Sequence, residues 1–231
     1  MNSFLQKIKT RGYWEVNIRP IEFLNNRIES LGVCKEIVRE LSVRFRGWDY
    51  PHYDSNNPPV SGIDYVEQNL DWQDKLEFWR YYQSGQFVHY FGMWEDWQDQ
   101  RNLWGPGIPN KPGEILSIIG TVYHFTEIYE FASRLALKGY LGKECKISIS
   151  LHSTNNRTLA MLDPSRLMFN NYKSALEIIP HDVILTSENL ISQSAELALD
   201  HIVWVFQRFN WDNVSRSVFQ EDQRKLIEHR L

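Results

Sequence analysis

The chain contains few cysteines and no long apolar run. Among 231 residues there are only 2 cysteines, Cys34 and Cys145, which lie far apart and in no metal-ligand spacing. This usage is typical of a reducing compartment, so we expect a cytoplasmic protein. No stretch approaches the roughly 18 apolar residues of a membrane span, and the first residues lack a secretory pattern. We therefore expect no membrane partner.

The motifs of several enzyme classes are also missing. The sequence has no Gly-x-x-x-x-Gly-Lys loop and no Gly-x-Gly-x-x-Gly turn, which excludes the common glycine-rich phosphate sites. It has no Gly-x-Ser-x-Gly elbow and no His-Glu-x-x-His pair, which excludes the common serine-hydrolase and zinc-protease motifs. We predict no cofactor and no metal site.

Positive charge is also scarce. The net charge is −4 and the sequence pI is about 6.0, so affinity for nucleic acid through many phosphate contacts is not favoured, although a local basic strip could bind it. Aromatic residues, in contrast, make up 14% of the chain. Bulky aromatics dominate both cores and interfaces, so we expect a packed core and a protein partner; the oligomeric state is left open.

The hydrophobic pattern predicts an α+β fold, with a mainly antiparallel mixed sheet packed by two long helices. The first part, residues 1–104, reads strand, helix, strand, strand, helix, strand, which matches a ferredoxin-like βαββαβ order. These elements are predicted at 13–19, 27–40, 41–47, 62–69, 73–83 and 86–93.

Residues 105–113 carry three prolines and three glycines, so we expect a loop that divides the chain. The second part, 114–231, is expected to pack with the first as one globular unit. Its predicted elements are a long helix at 114–138, a hairpin at 146–162, a strand within 174–186, and helices at 194–209 and 216–230.

One short repeat is present, Asp-Trp-Gln-Asp at 71–74 and again at 96–99. Each copy fits a helix start, because its first Asp can accept hydrogen bonds from free N–H groups and its second places negative charge at the helix N-terminus. A carboxylate cluster for a divalent cation is the alternative, and it requires both copies to converge in space.

The segment 41–54 is the strongest candidate for a functional site. If it begins as a strand, alternation places Arg44, Arg46 and Trp48 on one face. With Tyr50 and His52 these residues form a predicted partner-binding surface, because arginine pairs with anionic groups and tryptophan offers a π face. This surface leads us to expect a non-enzymatic binding module or accessory subunit of a multiprotein assembly.

Two other functions stay open. Asp49, His52, Asp54 and His89 could act in a metal-assisted hydrolase or nuclease if they converge in one cleft. A small-ligand sensor would instead show a concave pocket. His124 and Glu127 have the spacing of a metal pair on one helical face, but no matching second helix is present, so we expect a solvated face there.

Several strings together resemble a family of bacterial proteins to which no activity is attached. They are RGYW at 11–14, IRP at 18–20, RFRGWDYPH at 44–52, SGQFVHYF at 84–91 and FTEIYEFA at 125–132. The resemblance spans most of the chain. It implies a bacterial protein with a link to antiviral defence, and it supplies no catalytic residue or cofactor.

Overall fold

The fold was analysed in a computed structural model that describes residues 3–72, 74–98, 111–163, 165–166, 168 and 170–230. Its helices are α1 Ser3–Ile8, α2 Leu31–Leu41, α3 Ile118–Leu137, α4 Ser187–Gln207 and α5 Arg216–Ile227, with a 3₁₀ turn at Trp94–Asp96. Its strands are β1 Tyr13–Pro20, β2 Val60–Ser61, β3 Tyr65–Trp72, β4 Lys75–Tyr82, β5 Phe87–Gly92, β6 Ile115–Ser117, β7 Glu144–His152, β8 Thr158–Ala160 and β9 Ile178–Thr186.

Seven strands form one antiparallel sheet in the order β2-β3-β4-β5-β1-β7-β9. β1 lies between β5 and β7, so strands from both sides of the 105–113 segment belong to the same sheet. Helices pack against this sheet, and the α+β prediction is confirmed. A ferredoxin-like beginning is not confirmed, because the segment predicted as its second helix is strand β4.

The central strand and the long helix form the core because their apolar spacing matches their geometry. Trp14, Val16 and Ile18 alternate along β1, and each is at most 1% exposed. α3 is buried around most of its surface; it packs against α4, and its Phe125 and Phe131 contact Trp14 and Phe87 of the sheet. Ser117 caps α3 by accepting a hydrogen bond from Gly120 N at 3.0 Å.

Two predicted elements have the wrong type. Residues 73–83 were expected as a helix, but Lys75–Tyr82 is a strand that pairs with both β3 and β5 and is apolar on both faces. Residues 41–47 were expected as a strand, but Leu41 ends α2 and residues 42–47 belong to a loop. Within the described residues, the strand-like pairing of this loop is a single bridge between Val43 and Tyr50.

The predicted hairpin at 146–162 is also wrong. β7 pairs with β1 and β9, whereas β8 forms a short parallel pair with β6. β6 directly precedes α3, and its pairing with β8 lies outside the seven-stranded sheet. The other predicted elements overlap the observed ones, although α4 begins at Ser187 and not near 194. α1 and β2 were not predicted, and β6 lies within the segment predicted as the start of the long helix.

The first copy of the Asp-Trp-Gln-Asp repeat does not start an α-helix, and the first Asp of the second copy, Asp96, ends the 3₁₀ turn Trp94–Asp96. Asp71 and Trp72 end β3, and Asp74 lies in the turn to β4. Asp96 is buried, where it accepts hydrogen bonds from Gly12 N and Gly113 N and pairs with the guanidinium of Arg157. Residues 73 and 99, and most of the 105–113 segment, lie outside the described residues.

Candidate functional site: a polar cleft beneath the loop 42–54

The loop 42–54 covers one face of the sheet and carries Trp48 and His52 onto a buried carboxylate. That carboxylate is Glu77 of β4. It accepts hydrogen bonds from Trp48 Nε1 at 2.5 Å, from the backbone N of His52 at 3.4 Å, and makes a contact of 3.2 Å with His89 Nε2. His89 is on β5, diagonally across from Glu77 on the same face of the sheet. Glu77 thereby connects the loop to the sheet.

The surroundings of Glu77 keep it ionised. Burial alone would raise the pKa of this carboxyl, but the contacts from His89 and Trp48 and the nearby histidine charges outweigh burial and lower the pKa. A fixed negative charge is therefore present at the base of the cleft.

Arg46 occupies the opposite side of the cleft and is held by α3. Its Nε and Nη2 donate to the two oxygens of Glu127 at 2.8 and 2.6 Å, a bidentate pair in which Glu127 is only 1% exposed. Nη2 also lies 3.2 Å from His124 Nδ1, and the guanidinium lies 5.5 Å from the ring centre of Tyr123. Nη1 has no hydrogen bond within the described residues.

His124 is a neutral side chain beside this pair. Burial lowers its pKa well below the usual value, and the charges of Arg46 and Lys75 lower it further. Because Nδ1 then accepts from Arg46, the proton of the ring is on Nε2, which remains a donor. The face of α3 that carries His124 and Glu127 is therefore not solvated, contrary to the expectation from sequence.

The cleft has two lobes, and Arg46 and Trp94 line both. The loop lobe encloses about 230 Å³ between Trp48, Lys75, Glu77 and His124. The larger α3 lobe encloses about 500 Å³ at the start of α3. Lys75 borders the loop lobe with its Nζ 4.2 Å from the ring centre of Trp48, and burial, reinforced by Arg46, lowers the pKa of its ammonium.

Among the described residues, four cationic and two anionic side chains line the α3 lobe. Its charged lining residues are Arg46, Arg166, Lys225, Arg230, Asp163 and Asp222. Arg46 pairs with Glu127, Arg166 with Asp222 and Arg230 with Glu228. Lys225 makes no ion pair within the part of the chain that the structure describes. The first turn of α3 adds partial positive charge.

The five residues of the predicted partner-binding surface do not share one face. Arg46 and Trp48 line the cleft, whereas His52 reaches it only through the backbone N that donates to Glu77, and lines a neighbouring groove. Tyr50 is only 4% exposed and packs in the core against His89. Arg44 is exposed and lines a separate groove with Arg134 and His229.

Three of the four residues predicted for a hydrolase lie together. His52 Nδ1 pairs with the carboxylate of Asp49, and the His52 ring stacks on Trp48 with centroids 3.8 Å apart. Glu77 is contacted by both the His89 ring and the backbone N of His52. Asp54 takes a different role, because its carboxylate accepts a hydrogen bond from Asn56 N in its own loop. Among the described residues, no group of three potential ligands is arranged to hold a metal ion.

Sequence reasoning missed Glu77 and Lys75, which line the cleft, and assigned Glu127 no partner. A strand assignment for 75–82 would have pointed to Glu77, because a carboxylate between apolar neighbours on a buried strand requires a hydrogen-bonding partner. The pairing of Glu127 with Arg46 spans 81 positions of sequence, and no local pattern signals it.

The comparisons with known proteins give no family for this chain. Comparison with protein-family models, with curated proteins and with solved structures finds no match. None of the helices in the described residues is both long and apolar enough to cross a membrane. The resemblance to a bacterial family, the protein partner and the cytoplasmic location therefore stay predictions.

Proposed function

We propose that this chain is a binding protein for a small anionic molecule, which occupies the cleft beneath the loop 42–54. The observation that carries the proposal is the position of Arg46. Its guanidinium lines both lobes, and Glu127 and His124 fix it before any ligand arrives. A cation that is already oriented costs little entropy when it binds an anionic group.

The charge of the α3 lobe supports an acidic group at that end of the ligand. Arg46 and Lys225 both line this lobe, and Lys225 has no ion pair among the described residues that would compete with a ligand. A carboxylate or phosphate between them would also lie beside the first turn of α3, where negative charge is favoured.

The loop lobe supports a polar body that both donates and accepts hydrogen bonds. Lys75 and the Nε2–H of His124 are donors, and the ionised Glu77 is an acceptor. A ligand with an acidic end and a ring or chain bearing polar groups fits this pattern, and its binding would make the protein a sensor or a ligand-responsive subunit.

Isothermal titration calorimetry with three probes tests the proposal. Phenyl phosphate carries both an acidic group and a ring, inorganic phosphate carries the acidic group alone, and phenol carries the ring alone. We expect phenyl phosphate to bind more tightly than either fragment. We expect Lys225→Gln to weaken it by about fivefold at low salt, because one favourable charge contact is lost.

Arg224→Gln is the matched control, because Arg224 precedes Lys225 on α5 but pairs with Glu221 and Glu228 and does not line the cleft. This variant should bind as the unchanged chain does. Equal affinity for phenol and phenyl phosphate, or equal losses in the two variants, would refute an anion-binding cleft.

A hydrolase is the second candidate, and the pair of Asp49 and His52 favours it. An oriented imidazole beside a carboxylate can act as a general base toward water. Turnover of p-nitrophenyl acetate that disappears in His52→Gln would support hydrolysis, and turnover that persists in that variant would exclude His52 as its base.

A further inference from the structure

A second concave site lies on the outer side of Trp48, away from the α3 lobe. It is a groove of about 580 Å³ whose lining includes Trp72, His52, Asp54, Asn56, Asn57 and Asp71. We refer to it as the outer groove. It shares Trp48 with the loop lobe of the cleft but contains neither Arg46 nor Glu77.

Trp72 provides this groove with an exposed aromatic surface. The side chain ends β3 and is 60% exposed, which is unusual for an indole. It stacks on Trp48 with centroids 5.4 Å apart, and Trp48 stacks in turn on His52. This stack supports the ring from one side, and no other aromatic ring of the described residues contacts it.

Polar groups without partners lie around the ring. The side-chain amides of Asn56 and Asn57 make no hydrogen bond within the described residues. The Oδ1 of Asp54 accepts from Asn56 N at 2.8 Å, while its Oδ2 has no partner there. The groove therefore offers two amides and a free carboxylate oxygen beside an aromatic face.

The charge of the groove distinguishes among ligands. Among the described residues no lysine or arginine lines it, and two carboxylates, those of Asp54 and Asp71, do. Lys7 pairs with Asp71 at 2.5 Å, so this nearby cation is already engaged. Phosphate, sulfate and a nucleic-acid backbone are thus disfavoured by repulsion, whereas a neutral ligand meets none.

We propose that the outer groove binds a neutral saccharide. A sugar ring has a face of C–H groups with slight positive charge, which suits the negative face of an indole. Its hydroxyl groups both donate and accept, which suits the carboxylate of Asp54 and the amides of Asn56 and Asn57. This inference is independent of the anionic ligand proposed for the cleft.

Saturation-transfer NMR on the whole chain tests the groove. The probes are maltotriose, cellotriose and chitotriose, with adenosine as an uncharged planar compound. We expect at least one trisaccharide to show transfer, strongest at the C–H protons of one sugar face. Trp72→Ala should weaken its binding by about tenfold or more, because the stacking surface is removed.

Two variants control for non-specific effects. Trp72→Tyr keeps an aromatic face and should bind within about threefold of the unchanged chain. Phe23→Ala removes an aromatic ring that is 73% exposed but lies outside the groove, and it should bind equally well. Absence of transfer to all three trisaccharides, transfer that survives Trp72→Ala, or transfer to adenosine alone would overturn the proposal.

Discussion

Glu95 should make the stability of this protein fall as the pH rises through neutrality. Its carboxylate accepts a hydrogen bond from Ser117 N, at the start of α3, at 2.7 Å. Burial raises its pKa from 4.5 to about 7, although hydrogen bonds from the backbone N–H groups of Glu95 and Ser117 oppose the shift. Between pH 4.5 and about pH 7, the folded protein therefore keeps a proton on Glu95 that the unfolded chain releases.

The sign and the size follow from this difference. Because the folded state binds more protons over this range, the free energy of unfolding decreases as pH increases. With pKa values of 4.5 and about 7, the decrease from pH 5 to pH 8 is about 2.5 kcal/mol as an upper bound. Above pH 8 the contribution of Glu95 is constant.

Urea unfolding of the unchanged chain and of Glu95→Gln, measured from pH 5 to pH 8, isolates this contribution from those of other titrating groups. The amide matches the protonated carboxyl in shape and keeps an acceptor for Ser117 N, so the two proteins should have similar stabilities at pH 5. At pH 8 the variant should be more stable by up to about 2.5 kcal/mol. Parallel pH profiles would refute the reasoning.

Two further predictions concern side chains and backbone near the cleft and the sheet. Arg46→Met should destabilise the fold by about 3–5 kcal/mol in urea unfolding, because it leaves Glu127 buried without its arginine partner. Adding Glu127→Leu should restore most of the lost stability. Equal instability of the single and double variants would contradict this. Gly85→Ala should cost at least about 1 kcal/mol more than Gly139→Ala in thermal unfolding. Both glycines have positive φ, at +86° and +81°. Only at position 85 would the added Cβ meet a backbone oxygen, that of Tyr140 at 2.5 Å. Equal losses would show that φ alone sets the cost.

The elements predicted well are those whose periodicity reflects burial on one face or around a helix. β1 alternates because one of its faces packs in the core, and α3 shows helical spacing over five turns. Both signals are local, so the sequence contains them. The α+β class follows from such elements without knowledge of which strands pair.

The errors arise where burial removes periodicity or where a loop imitates it. β4 is covered on both faces, so its apolar residues fit a helix as well as a strand, and the preceding Asp-Trp-Gln-Asp string resembles a helix cap. In the segment 41–47 apolar and polar residues alternate as in a strand, but the chain leaves α2 there as a loop. The Ser42 hydroxyl donates to Val38 O at the end of α2. Local pattern cannot distinguish these cases.

The candidate site could be predicted only in part. In the structure Arg46 and Trp48 line the cleft, and His52 lines the outer groove. The sequence places all three in one segment. It could not identify Glu77 and Glu127 as their partners, because these contacts join positions 29 and 81 residues apart. Tyr50 is buried and not on the predicted surface, because residues 42–54 form a loop in which alternate side chains do not share one face.

Backbone and side-chain NMR during titration with phenyl phosphate tests the central claim most directly. If the cleft binds the acidic group, the Nε–H signal of Arg46 and the amide signal of Gly120 should shift together and saturate at one dissociation constant, since both residues line the α3 lobe. Arg224 Nε–H should not move. Shifts confined to residues outside the cleft, or no saturable shift, would contradict the account.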